Sequence, residues 1–271
     1  MGRKRGDLMM VRQREEEAKR LFQVLKGEFE AQFRELIPGI MHALANPLNG
    51  ILGRSELLGG RVPRILEPIV RDGGVPDDTV REGCRKVISD IGLITEEANR
   101  LFDLFNRAAG KFRVLDDSVM RGINLSALLE DEVTFLQFYP DARHGMEKQL
   151  VLDRDMPEVA GVISHYSLSF AAILRHAIHS MQGRDVRELV VETGHDDSCA
   201  RVTISDSGVP LTKERREAML ADTPGGHRHG DDRGVTCALS LLRQYGARLQ
   251  IGYESGYNSL SVRIPFRAGG E

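Results

Sequence analysis

From about Glu15 onward the apolar residues Ala18, Phe22, Leu25, Phe29, Phe33, Leu36 and Ile40 recur at intervals of four, three, four, four, three and four, with Lys, Arg and Glu between them. A seven-residue apolar repeat is the period of a helix that presents one seam to a partner. The pattern predicts a long helix that pairs with another copy and leads directly to His42. The alternative for the same pattern is an amphipathic helix packed on its own domain. Gly59-Gly60-Arg61-Val62-Pro63 is expected to end this helix, and Gly73-Gly74-Val75-Pro76-Asp77-Asp78 forms a second breaker cluster. Between them lies a short apolar piece around Ile65 to Val70. Asp77 or Asp78 then caps a second amphipathic helix built on Val80, Val87, Ile88, Ile91, Ile94, Ala98, Leu101, Leu104 and Phe105, ending near Gly110. Two antiparallel helices per chain, doubled, make a four-helix bundle, whereas a monomeric hairpin would cap the second domain.

After Lys111 the period changes. Asn124-Leu-Ser-Ala-Leu-Leu starts a helix with an Asn or Ser cap, and Lys148-Gln-Leu-Val-Leu-Asp alternates like a strand. Ser164 to Met181 reads as a helix, Glu188–Thr193 and Ala200–Ser205 as a strand pair, Cys237 to Tyr245 as a helix, and Leu249–Tyr253 and Leu260–Pro265 as terminal strands. Strands and helices mixed in this order predict an α+β layer with helices on one face of a sheet.

A chain of 271 residues with 41% hydrophobic and 28% charged residues is long enough for one large or two modest soluble domains. The net charge of −3 offers no broad attraction for nucleic acid or an anionic membrane, and Arg3-Lys4-Arg5 reads as a solvated terminus. Cys84, Cys199 and Cys237 have no metal-binding or disulfide-framework spacing, which points to a reducing cytosol. No apolar run approaches the roughly eighteen residues of a membrane span, and the charged start carries no secretion signal, so no membrane insertion is expected.

The most specific stretch is Met41-His42-Ala43-Leu44-Ala45-Asn46-Pro47-Leu48-Asn49-Gly50-Ile51. His42 and Asn46 are four apart and share one helical face, so the amide can reach whatever the imidazole carries. Pro47 has no N–H for the carbonyl of Ala43 and is expected to kink the helix beside His42. Residues Leu36 to Leu58 resemble the phospho-acceptor helix of two-component sensor histidine kinases, in which the histidine is phosphorylated. The family's pattern of His, acid, apolar, any, Asn or Thr, Pro, Leu is met except at the acid, which is Ala43. In the family that acid orients the imidazole and acts as base during attack on ATP. A positioned base is worth on the order of a hundred- to ten-thousandfold in rate, so its loss predicts weak autophosphorylation. The resemblance gives Asn46 a different task, orienting water against a phosphorylated aspartate; its structural alternative is to satisfy backbone around the proline.

The second half resembles the family's ATPase domain, which implies ATP with Mg²⁺ as cofactors. Phe170 to Met181 is similar to the asparagine box, with His176 where a magnesium-binding Asn is expected. Imidazole is a poor ligand for Mg²⁺, which prefers oxygen. Asp206-Ser-Gly208-Val-Pro210 resembles the first glycine box, whose Asp reads the adenine amino group; without the resemblance it reads as a turn after a strand. The second glycine box appears as Gly234-Val-Thr236-Cys-Ala238, with bulk where backbone must approach phosphates. Gly225 to Arg233 falls where the family has its ATP lid, with Arg228 or Arg233 able to meet phosphate. His176, His179, His227 and His229 form a further candidate cluster for a transition metal, without close ligand spacing.

The expected organisation is a coiled-coil-like helix over 1–37, a dimerisation and phosphotransfer hairpin over 38–112, and an ATPase-like α+β sandwich over 113–271. The resemblance implies a cytoplasmic homodimer that exchanges phosphoryl groups between His42 and a response-regulator receiver domain, or dephosphorylates that receiver, with an upstream sensor or kinase as a further partner. Two alternatives stand beside it: a complete kinase binding ATP through Asp206, Gly208 and Gly234, and a non-catalytic scaffold that binds a receiver or kinase.

Overall fold

The computed structural model of the protein describes residues 2–72, 78–143, 145–221 and 232–266. Two compact units are formed, one by Met1–Leu36 with Lys111–Glu271, the other by Ile37–Gly110.

The second unit is a helical hairpin made from parts of α1 (Gly2–Asp72) and α2 (Asp78–Asp116). The expected stop at Gly59–Pro63 is not observed: α1 continues through Pro38, Pro47 and Pro63 to Asp72. Tertiary packing explains the difference. Arg61 pairs with the buried Asp90 of α2, and Ile65 packs so closely on Gly83 that a Cβ there would lie 2.7 Å from Ile65 Cγ1. Such contacts outweigh a glycine's cost of about 1 kcal/mol in a helix and a proline's of about 3. The breaker cluster, including the candidate cap Asp77, lies outside the described residues, and α2 begins at Asp78.

Over its first stretch α1 follows the alternative reading of its apolar repeat. Leu21, Leu25 and Phe29 are buried within the chain's own α+β unit. Phe22 stacks on His165 with ring centroids 4.9 Å apart, and Phe29 meets Phe135 at 6.4 Å. Apolar surface is available on this unit, so the seam needs no second copy here. α2 also passes its expected end, because Lys111 is drawn into the unit. Its Nζ lies 2.5 and 2.6 Å from the carboxylate oxygens of Glu132 and 2.8 Å from Ser167 Oγ, with all three residues buried. The rings of Phe29 and Phe135 face the same ammonium at 5.4 and 5.8 Å.

The α+β unit continues with β1 (Met120–Ile123), α3 (Leu125–Phe135), a 3₁₀ turn (Leu136–Phe138), α4 (Pro140–Arg143), β2 (Glu147–Val151), β3 (Val159–Val162), α5 (Ile163–Ser180), β4 (Glu188–His195), β5 (Cys199–Asp206), α6 (Lys213–Leu220), α7 (Arg233–Arg243), β6 (Arg248–Glu254) and β7 (Tyr257–Pro265). Asn124 caps α3 as expected, its side chain accepting from the Ala127 amide at 2.9 Å. A five-stranded sheet has the order β2-β4-β5-β7-β6, antiparallel except for β2 with β4, and β1 pairs with β3 separately. The period-two pattern sets which side is core: Ala200, Val202, Ile204 and Asp206 of β5 are buried in alternation, as are Asn258, Leu260, Val262 and Ile264 of β7. α5 packs on β5 and on α7.

Removing one member of a buried ion pair typically costs about 3–5 kcal/mol, whereas replacing both by apolar side chains is often neutral. Lys111→Met should therefore lower the urea midpoint of this unit sharply, and Lys111→Met with Glu132→Leu should restore most of it.

Candidate functional site

His42 and Asn46 stand exposed on α1, with Asn46 Nδ2 3.4 Å from His42 Nδ1. The next residue, Pro47, is buried, so the pair is presented outward from a packed turn. An amide nitrogen towards Nδ1 leaves the imidazole proton on Nε2; the flipped amide oxygen accepts an Nδ1 proton and frees the Nε2 lone pair for attack. Both states of a phosphoryl-carrying imidazole can thus be served by Asn46. Ala43 contributes no base. On the same face Gly50 lies under α2, where a Cβ would meet Glu97 Cγ at 3.4 Å. That carboxylate lies beside Gly50, about 12 Å along the axis from the His42 level.

The residues of the expected nucleotide site are engaged with one another. Asp206 and Asn258 are cross-strand partners on the core-facing phase of β5 and β7. Asp206 Oδ1 accepts from Ser180 Oγ at 2.6 Å, from the Gly208 amide at 3.0 Å and from Asn258 Nδ2 at 3.0 Å. Asn258 also donates to Val209 O and accepts from the Leu211 amide at 2.8 Å, pinning the loop after β5 to β7. A Cβ on Gly208 would strike Ser180 Oγ, which is why glycine is required there. The Asp-Ser-Gly segment is a tightly bonded turn. The cavity bounded by His176, Asp206, Leu211, Met219, Ile251 and Asn258 measures about 20 Å³. That is room for one water.

His176, at the expected magnesium position, places Nε2 3.1 Å from Asp232 Oδ1. Arg215 grips the same carboxylate through Nε at 2.8 Å and Nη2 at 2.6 Å. His176 first and Arg215 second hold the Asp232 carboxyl far below the usual carboxylate range. Thr236 donates to the Asp232 carbonyl at 2.8 Å, and Ala238 is fully buried, so both departures from the second glycine box have local structural tasks. Gly234 faces Glu28 of α1 and Arg175 of α5. Most of the expected lid, with His227, Arg228 and His229, lies outside the described residues, and Arg233 opens α7. Among the described residues no group of three or more His, Cys, Asp or Glu is arranged to hold a metal, and no helix is long and apolar enough to cross a membrane.

The structure thus brings together His42 with Asn46, and His176 with Asp206 around one cavity, while Gly208 closes the turn and Gly234 meets α1. Asn258, Ser180, Asp232 and Glu28 were not singled out from sequence. Asn258 was legible, because it continues the alternation of Leu260, Val262 and Ile264 one step towards the amino terminus. The other three depend on long-range contacts that no local pattern announces.

A helical hairpin bearing an outward His-Asn pair, followed in the same chain by an α+β unit, is the arrangement expected from the resemblance to sensor histidine kinases. Sequence comparison agrees. The sensory histidine kinase/phosphatase NtrB of Escherichia coli O157:H7 is 24% identical over 247 residues, covering 86% of this chain and 62% of that protein. NtrB of Vibrio alginolyticus is 22% identical over 274 residues, covering 95% of this chain and 70% of that protein. The sensor histidine kinase GacS of Pseudomonas protegens is 26% identical over 251 residues, covering 85% of this chain and 24% of that protein. The chain is a homologue of the sensor histidine kinases, and it spans 62% of the length of the Escherichia coli relative. No family model matches it. The catalytic domain of histidine kinase ThkA overlays 54% of this chain and 97% of its own length at 13% identity and a TM-score of 0.48.

The depressed Asp232 carboxyl has a consequence for stability. Its contribution is present above the unfolded value near 4 and is lost as pH falls through the lower folded value. Thermal melts should therefore fall less steeply below about pH 4 for Asp232→Asn than for the parent.

Proposed function

We propose that the protein is a phosphoryl way-station that works through His42 without drawing on ATP. The phosphate donor or acceptor is the aspartate of a response-regulator receiver domain. In one direction the His42 lone pair attacks the aspartyl phosphate, a P–N bond forms as the P–O bond breaks, and the carboxylate is released; the reverse step recharges the receiver. Alternatively Asn46 aligns a water on the aspartyl phosphate, giving inorganic phosphate and free carboxylate. The observation that carries this reading is the contrast between an exposed His42–Asn46 pair and a nucleotide region filled by its own hydrogen bonds. The kinase/phosphatase designation of the NtrB relatives supports it.

Homodimerisation belongs to the same reading. Met41, Leu48 and Leu52 of α1 with Ile88, Ile91, Phe102 and Phe105 of α2 are between 45% and 69% exposed, more large apolar surface than a lone hairpin presents to water. A second hairpin would cover it and complete a four-helix bundle. An upstream sensor or kinase, charging the receiver or His42, would be the source of phosphate.

Two incubations test the proposal. With a phosphorylated receiver, label should move to His42 or be released as phosphate; His42→Ala should abolish the transfer, and Asn46→Ala should slow the release by about a hundredfold or more. With labelled ATP and Mg²⁺, His42 should stay unlabelled. Rapid acid-labile labelling would instead establish a complete kinase, and an inert result with every receiver would favour a scaffold.

A further inference from the structure

Within the α+β unit, the first stretch of α1 and the last turns of α2 bound a cavity of about 220 Å³ that phosphotransfer at His42 does not use. Its walls are Phe29, Phe33, Phe112 and Leu115, and its polar members are Lys26, Glu30 and Asp116. Ligand pockets for drug-sized molecules start at about 300 Å³, so this one suits a small ligand.

Helical spacing assembles the lining. Lys26, Phe29, Glu30 and Phe33 stand three, four and seven residues apart on one face of α1, and Phe112, Leu115 and Asp116 repeat the same spacing on α2. Phe29 and Leu115 are buried, whereas Phe112 stays 38% exposed. The rings of Phe33 and Phe112 meet edge to face, with centroids 4.6 Å apart and planes at 89°. Aromatic faces carry partial negative charge, which attracts a cation placed over them.

Charge narrows what the cavity takes. An apolar hollow accepts any greasy group, but the described residues lining this one carry two carboxylates against one ammonium. Lys26 Nζ lies 2.8 Å from Asp116 Oδ1, and Asp116 first, with Glu30 adding, holds that ammonium above its ordinary pKa. On Phe29 the Lys111 ammonium lies 5.4 Å from the ring centroid. The chain's own lysines thus display both ways in which this lining receives a cation, against a carboxylate and over a ring. Metal ions require a shell of oxygen, nitrogen or sulfur donors, and phenyl walls supply none. A cation with an apolar coat meets both the rings and the acids.

We propose that this cavity is a binding site for a small quaternary ammonium compound, with its alkyl groups against Phe29, Phe33 and Phe112 and its charge facing Glu30 and Asp116. The site goes beyond the phosphotransfer reading and stands whether or not His42 carries phosphate. An occupant would hold the first stretch of α1 to the end of α2, which gives a ligand purchase on both long helices.

The test is titration calorimetry of the full chain with choline, at ionic strength matched with sodium chloride, beside the uncharged analogue that has carbon in place of the choline nitrogen. Choline should bind saturably below about 10 mM, and the uncharged analogue at least about threefold more weakly, as a modest cation–π contribution requires. Phe33→Leu keeps apolar bulk and removes a ring, and Glu30→Gln removes an exposed charge. Each should weaken choline at least about threefold and the analogue by less. Absence of saturable choline binding, equal affinity for choline and the analogue, or unchanged choline affinity in Glu30→Gln would overturn the proposal. Dissociation of a dimer by Phe33→Leu in sedimentation, with no choline binding to the parent, would assign the groove to a second copy and overturn it equally. Should Phe33→Leu not fold, the Glu30→Gln comparison decides alone.

Discussion

One carboxylate oxygen, Oδ1 of Asp206, receives hydrogen bonds from Ser180, Gly208 and Asn258, and the arrangement of the α+β unit around its centre depends on that convergence. A buried carboxylate without partners would be strongly unfavourable, and three donors from α5, the following turn and β7 make it tolerable. The same bonds fix the end of α5 against the sheet and tie the loop after β5 to Asn258. Met219 and Leu211 then close over the remaining space. The acid that the family resemblance assigns to adenine uses its Oδ1 in the protein's own architecture.

Around this centre the other departures from the family pattern form a consistent set. His176 is matched by Asp232 and Arg215, Thr236 bonds back to the Asp232 carbonyl, Ala238 is packed, and the start of α7 is met by Glu28. Among the described residues, His176, Asp206 and Arg233 each have an intramolecular partner. The hairpin shows the opposite condition, with His42 and Asn46 left in solvent beside a buried Pro47. The exposed imidazole and amide keep the groups that phosphoryl transfer needs, while position 43 offers no base.

Much of this was legible in the chain. The apolar period located both long helices, the alternation located the strands of the main sheet, and the spacing of His42 and Asn46 placed them on one face. What escaped has a common physical origin. Gly59, Gly60 and Pro63 are local breakers, yet α1 runs on because Arg61 and Ile65 find Asp90 and Gly83 on α2. Residues 21–29 carry the seam of a coiled coil, yet they find their apolar partners within the same unit. Lys111 reads as the end of a helix until Glu132 and Ser167 are brought to it. In each case a contact between residues distant in sequence outweighed a local preference, and His176 with Asp232 repeats the pattern at the site.

The central proposal is that His42 works without ATP, because the nucleotide region of the α+β unit is occupied by its own side chains. Titration calorimetry of the full chain with a non-hydrolysable ATP analogue and Mg²⁺ tests it most directly. No saturable heat is expected up to about 1 mM, which corresponds to binding weaker than roughly −4 kcal/mol. A saturable isotherm in the micromolar range, abolished by Asp206→Asn, would contradict it.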